Sequence, residues 1–189
     1  FNHRVVQLSQ DGTVIRTFGS MGIGEGQFFF PNSLAVDGGF VFVADAGNQR
    51  IQKFDLEGNF IAQVASAADG AEPQFIAPRG VNAVNGYLFV ADATLHAVKR
   101  FDYDLNYIDT VASYPALNIP NQVAFDTQGR MAVTNVGSHQ VVFYNADFSF
   151  SHVIGAGRVG PGEINGAAGL AVANNELFVV NGGGHKVQV

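Results

Sequence analysis

Four of the five histidines, His3, His96, His139 and His185, hold one position of a recurring segment, and a further copy of that segment holds Gln49 there. If the copies are arranged about an axis, these imidazoles lie on a circle and on one face. Neutral imidazoles that converge bind Zn²⁺ or another divalent metal, so His96, His139 and His185 are the candidate ligands. Close by, Asp45, Asp92, Asn135 and Asn181 share a second position, at intervals of 47, 43 and 46 residues. A ring of carboxylates there would suit Ca²⁺ or acid–base chemistry. The favoured reading is structural: Asp and Asn bond the backbone amides of the tight turn they begin. Asp37 and Asp126, at the end of another apolar run, read the same way. His152 falls in an outer strand, as a packed or exposed residue. Catalysis of other kinds has little support. There is no Gly-x-Ser-x-Gly elbow and no Ser/His/Asp trio recognisable by spacing. The Gly-rich stretches 19–26 and 155–162 lack a Gly-Lys-Ser/Thr ending and precede no helical pattern, so they are connectors. Arg50, Arg79, Lys99 and Arg100 are scattered near acids, as on a solvated face.

The elements that must place these residues are short. Pro31 to Ile61 holds four apolar runs, SLAV, FVFVA, RIQKF and FIAQV, broken by Asp-Gly-Gly, Asp-Ala-Gly-Asn and Asp-Leu-Glu-Gly-Asn. Brief Val-, Ile- and Phe-rich runs between turn residues are strands, and Asp-Gly supplies the φ > 0 that hairpins need. The stretch is therefore a four-stranded antiparallel meander. It recurs from Pro78, from Pro120 and from near Ala167, and residues 1–19 read as the last half of a preceding copy. Four strands per 40–50 residues is the period of a β-propeller blade. A lone meander is apolar on both faces, so neighbouring copies must cover it. The small residues Ala35, Ala83, Ala124 and Ala171 are expected in one slot of the innermost strand, where space is tight.

Phe18-Gly19-Ser20, Gly24-Glu25-Gly26-Gln27-Phe28, Pro31, Ala35-Val36-Asp37, Val43-Ala44-Asp45, Asn48-Gln49-Arg50-Ile51-Gln52-Lys53-Phe54 and Gly58-Asn59-Phe60 resemble the NHL repeat. Later units depart from it, with Leu95-His96-Ala97, Ser138-His139-Gln140 and Gly184-His185-Lys186 in place of Asn-x-Arg. The resemblance implies an all-β fold, a single NHL-type propeller domain or arc over residues 1–189. Its third strand occurs five times and the others four, so about four blades of a six-bladed or larger array are expected. A small closed ring with an overlapping strand is the alternative. The chain opens without Met in mid-repeat, which suggests a trimmed piece of something longer. In such repeats Asn-His-Arg is a variant that merely shapes a loop. The segments around His96 and His139 also resemble those of the peptidylglycine amidating lyase, an NHL-type propeller with zinc.

The composition is that of a folded chain, 47% hydrophobic and 14% charged. With 10 Lys+Arg and a net charge of −6, nucleic acid is a poor partner. There is no Cys, hence neither disulfide nor thiolate metal site, and no apolar run long enough to span a membrane. The leading expectation is a non-catalytic scaffold without a cofactor. Its contact surface for a protein or glycan would be built from Asn48, Gln49, Arg50, His96, His139 and His185. The alternative is a metal-dependent lyase or hydrolase using the histidines. Exposed blade faces at the ends of an arc would support self-association. The resemblance points to an extracellular or cell-envelope bacterial protein, with the cytoplasm left open.

Overall fold

A computed structural model of the chain describes residues 2–66, 75–155, 163–173, 176–184 and 186–188. Strands β1 (Val5–Leu8) and β2 (Val14–Phe18) form an antiparallel pair. Two short parallel strands, β3 (Ser20–Met21) and β4 (Gln27–Phe28), follow. The first full blade is β5 (Pro31–Asp37), β6 (Phe40–Asp45), β7 (Arg50–Asp55) and β8 (Phe60–Ala65). The second is β9 (Pro78–Val84), β10 (Tyr87–Asp92), β11 (Ala97–Asp102) and β12 (Tyr107–Ala112). The third is β13 (Pro120–Phe125), β14 (Met131–Asn135), β15 (Gln140–Tyr144) and β16 (Phe150–Ile154). The last blade contributes β17 (Ala167–Ala173), β18 (Glu176–Asn181) and β19 (Lys186–Gln188). Within every blade, neighbours in sequence are neighbours in the sheet. The inner strands β5, β9, β13 and β17 pack against one another in turn.

The alternation of each second strand feeds two cores at once. Val41 and Val43 of β6 meet Val5, Phe28 and Phe54. Phe42 and Ala44 of the same strand turn the other way, onto Val81, Leu88, Val90 and Phe101 of the second blade. That blade sends Phe89 and Ala91 to meet Val123, Met131, Val133 and Tyr144 of the third. Ala132 and Val141 then meet Ile164, Ala167 and Val179 of the last. The mutual covering of meanders expected from the sequence is thus realised at four successive junctions.

The hairpins opposite the histidine positions are held by acidic side chains. Asp55 accepts from the Asn59 amide at 2.8 Å, Asp102 from the Asn106 amide at 2.9 Å, and Asp126 from the amides of Gln128 and Arg130, both at 2.9 Å. The Asn59 amides hold the Asp55 carboxyl below its ordinary range. Asp126 behaves as its turn reading requires. Asp37 does not: its carboxylate accepts the Tyr103 hydroxyl from the second blade. Burial, and then that bond, push the Tyr103 phenol up. Lys53 closes the same junction, donating to the Tyr103 carbonyl at 2.7 Å with its ammonium 3.8 Å above the Phe40 ring.

Three further expectations are revised. Ala83 pairs with Leu88, whereas Ala35 pairs with Phe42, the residue equivalent to Phe89. Asn82 therefore holds the Ala35 slot, and Ala83 faces the opposite way. The crowding near the axis falls instead at Gly80, where an added Cβ would run into Asn121 and Gln122 of the third blade. Arg50 and Lys99 are 5% and 2% exposed, so they do not belong to a solvated face. Arg100 pairs with Asp109 at 2.6 and 3.0 Å while lying 5.2 and 5.1 Å from the Tyr87 and Phe148 rings. The Gly19–Gly26 connector carries part of the parallel pair β3–β4, which its composition did not suggest.

Candidate functional site

Each of the four inner strands is preceded by two residues: Phe29-Phe30, Ile76-Ala77, Asn118-Ile119 and Asn165-Gly166. Their amides lie outside the sheet ladder and need acceptors. The first amide goes to the Asp/Asn position at the end of the second strand. Phe29 donates to Asp45 Oδ1 (2.7 Å), Ile76 to Asp92 Oδ2 (2.8 Å), Asn118 to Asn135 Oδ1 (2.6 Å) and Asn165 to Asn181 Oδ1 (2.9 Å). All four side chains are 0–1% exposed. Their role is a latch on the start of their own blade. Asp92 also takes amides of the turn it begins, from Thr94 and Leu95 at 3.0 Å; Asp45 and Asn135 do not cap theirs.

The second amide reaches the histidines. Phe30 donates to His3 Nδ1 (3.1 Å), Ile119 to His96 Nδ1 (3.0 Å) and Gly166 to His139 Nδ1 (3.0 Å). Each histidine thereby ties its own blade to the next. His3, His96 and His139 sit at φ of 47°, 53° and 56°, and so does Gln49 at 53°. That left-handed turn swings the side chain back toward the neighbouring blade. Phe30 and Ile119 are left-handed too, at 51° and 56°, an uncommon state for a bulky or β-branched residue. Receiving an N–H at Nδ1 requires a lone pair there, so the proton of the neutral ring is on Nε2.

His96 and His139 are thus engaged at separate joints. Among the described residues no three His, Asp or Glu side chains group as a metal site. His185 lies outside the described residues. Of the predicted contact residues, Gln49 and His139 are exposed, while Asn48 and His96 are half-buried. Arg50 is a buried clamp. Its Nε donates to Asp45 (2.8 Å), and its other four N–H groups reach the carbonyls of Ile23, Gly24 and Gln27 and the Gln63 side chain, at 2.7–2.8 Å. Asn48 holds the Gly22 carbonyl (2.9 Å) and Gln52 receives the Gly26 amide (2.9 Å). The loop so pinned presents Met21 and Ile23, 65% and 82% exposed. Tyr114, beside the His96 ring, is 71% exposed. Met21 and Ile23 are hidden in the sequence because they sit in the Gly-rich stretch 19–26, which reads as a connector; the arginine two residues after Asn48 is the signal that the loop is ordered.

Residues 28–54 match the NHL repeat family. The human NHL repeat-containing protein 3 is 46% identical over 57 residues, 30% of this chain and 16% of that one. The Caenorhabditis elegans B-box type zinc finger protein ncl-1 is 54% identical over 44 residues, 23% of this chain and 5% of that one. The aligned parts are therefore a small fraction of those relatives. Among solved structures, a streptogramin B lyase superposes with a TM-score of 0.74 at 14% identity, covering 98% of this chain and 58% of the other. A chain of a nidogen/laminin complex gives 0.69 at 17%, covering 91% and 61%. At such identities the likeness is one of fold. The chain thus carries an NHL repeat at residues 28–54, within an all-β architecture of four-stranded blades like that of these β-propeller structures.

Proposed function

We propose that the chain is a non-catalytic scaffold that docks a protein or glycan partner on the face carrying the joints. One observation carries the reading: Met21 and Ile23 stand exposed on a loop whose carbonyls are already held by Arg50 and Asn48. Apolar side chains on a pre-ordered loop bind with little ordering cost, and exposed apolar clusters mark interaction sites. The groups that would do chemistry are engaged in holding the fold. Selection of displayed peptides on the immobilised chain tests this. Binders should be lost with Met21→Ser/Ile23→Ser, at unchanged thermal stability; binders indifferent to both substitutions would refute it.

A second reading draws on the likeness to the lyase structures: a metal-dependent lyase or hydrolase with zinc on His96, His139 and His185. It must recruit rings whose Nδ1 lone pairs serve Ile119 and Gly166. Stoichiometric zinc in the purified protein, lost on His139→Ala, would replace the scaffold reading. Self-association is the remaining expectation. It would use the exposed Leu34 and Val36 of β5, and sedimentation at increasing concentration decides it.

A further inference from the structure

Each of the three full blades turns the same pair of residues toward the blade that follows it. On the second strand these are Phe42, Phe89 and Ala132, and directly across from them on the third strand are Lys53, Arg100 and Phe143. In the first two junctions the space over the pair is full. Tyr103 of the second blade lies 5.1 Å from the Phe42 ring, and Phe125 and Phe148 of the third lie 4.5 and 5.7 Å from Phe89. The cation of each pair rests on rings as well, Lys53 on Phe40 and Arg100 on Tyr87 and Phe148. In the third junction the ring has changed strands. Ala132 stands where the other two blades carry phenylalanine. Phe143 stands where they carry the cation, with His152 stacked on it at 4.4 Å and the planes 4° apart. From the last blade, Val172 takes the place that Phe125 fills in the second junction. The result is a cleft of about 250 Å³ over Ala132, bounded by Leu177 on the far side. It opens among the hairpins at the end away from the histidine joints, so it is separate from the docking face proposed above.

We propose that this cleft binds a small aromatic amine, a single ring with an ammonium group on a short arm, the ring lying over Ala132 and the ammonium at Glu176. Size selects one ring. An apolar cavity of about 150 Å³ takes up benzene, and sites for drug-sized molecules begin at about 300 Å³. Shape selects an aromatic one. The stacked Phe143 and His152 rings form a wall, and a further ring packs on such a wall offset or edge-on. Charge selects a cation. Three charged side chains rim the cleft: Asp126, Arg130 and Glu176. Arg130 Nε donates to Asp126 Oδ2 at 2.6 Å, and Asp126 Oδ1 takes the amides of Gln128 and Arg130. Those two charges offset each other. Glu176 has no ion pair among the described residues, so the rim carries one carboxylate in excess. That carboxylate and the aromatic faces both attract an ammonium. An aromatic acid would meet the carboxylate with its own charge.

Titration of the whole chain with 2-phenylethylamine, followed by methyl NMR, tests the proposal. The Ala132 and Leu177 methyl signals should move together and saturate, with a Kd on the order of 1 mM for so small a ligand. Phenylacetate should bind about tenfold more weakly, since attraction to Glu176 becomes repulsion. Ala132→Phe restores the residue of the other two junctions, fills the cleft and should abolish binding. Glu176→Gln changes only the exposed rim. It should weaken the amine about threefold, the scale of an exposed ion pair, and leave the neutral benzyl alcohol unchanged. No saturable shift at Ala132 and Leu177, phenylacetate binding as tightly as the amine, or an amine indifferent to Glu176→Gln would overturn the proposal. The two ligands on the native chain and the rim variant decide it even if Ala132→Phe fails to fold.

Discussion

Tyr144 offers a direct test of the packing argument. Its place in the third blade corresponds to Phe54 and Phe101 in the first and second, which are 1% and 0% exposed. Tyr144 is 4% exposed, faces Phe89, Val123 and Val142, and its hydroxyl has no hydrogen-bond partner. An unpaired buried hydroxyl costs about 1–3 kcal/mol, and the ring fills the slot without it. Tyr144→Phe should therefore stabilise the fold by about 1 kcal/mol, or about 2–4 °C in Tm for a domain of this size. Burial also pushes the Tyr144 phenol up to about 12 from 10.0. Between those values the unfolded phenol ionises and the folded one does not, so the native protein binds more protons and loses stability as pH rises. The advantage of the phenylalanine should widen above pH 10, by at most about 1.4 kcal/mol per pH unit. Urea unfolding at pH 7 and pH 11, with an unchanged m-value, is the assay. A destabilised variant at pH 7, or a gap that does not widen in alkali, would refute the reasoning and imply that the hydroxyl is satisfied in solution.

Removing Arg50 would strand Asp45, 0% exposed, without its cation; Arg50→Ala should cost about 3–5 kcal/mol in urea unfolding. Gly137 has no Cβ to meet the Asn118 carbonyl, which one would approach to 2.8 Å; Gly137→Ala should lower Tm, though its φ is not left-handed. Asp92→Asn leaves one acceptor for Ile76 and Ala77 and should cost about 1–3 kcal/mol. Gln49→His should restore part of that loss while doing little in the native background, and strictly additive effects in the double-mutant cycle would contradict the joint.

Much of the fold was legible because one rule repeats. Apolar runs such as FVFVA and YLFVA can only be strands buried on both faces, and the recurrence of Asp45, Asp92, Asn135 and Asn181 fixes the blade period. The slip at Ala83 is one of counting. β5 has an irregular register between Pro31 and Ser33, and β9 has its own near Pro78 and Gly80. The two irregularities match, so Ala35 and Asn82 share a slot at the same distance past their prolines, and Ala83, one residue further on, takes the other face. The site was less legible. Spacing brought the histidines into one class but could not say that each faces a neighbour's amide, because that amide lies 23 or 27 residues further on, in a connector of variable length. Arg50 looked like a surface charge until five acceptors were found around it.

The four joints also explain how buried polar groups of different charge share one slot. Asp45, Asp92, Asn135 and Asn181 face Arg50, Ala97, Gln140 and Lys186 across the hairpin. Where the facing residue is arginine, the carboxylate is paired, and the cation goes on to pin the loop bearing Met21 and Ile23. Where it is alanine, the carboxylate has no cation at that place, and four backbone amides surround it instead. Where it is glutamine, the slot is a neutral asparagine, which avoids burying an unpaired charge but gives up one acceptor. The histidine of the preceding blade returns that acceptor. Loop order, slot charge and histidine placement are thus one coupled choice, made separately in each blade: the first unit pins its apolar loop with Arg50, and the third borrows its neighbour's imidazole.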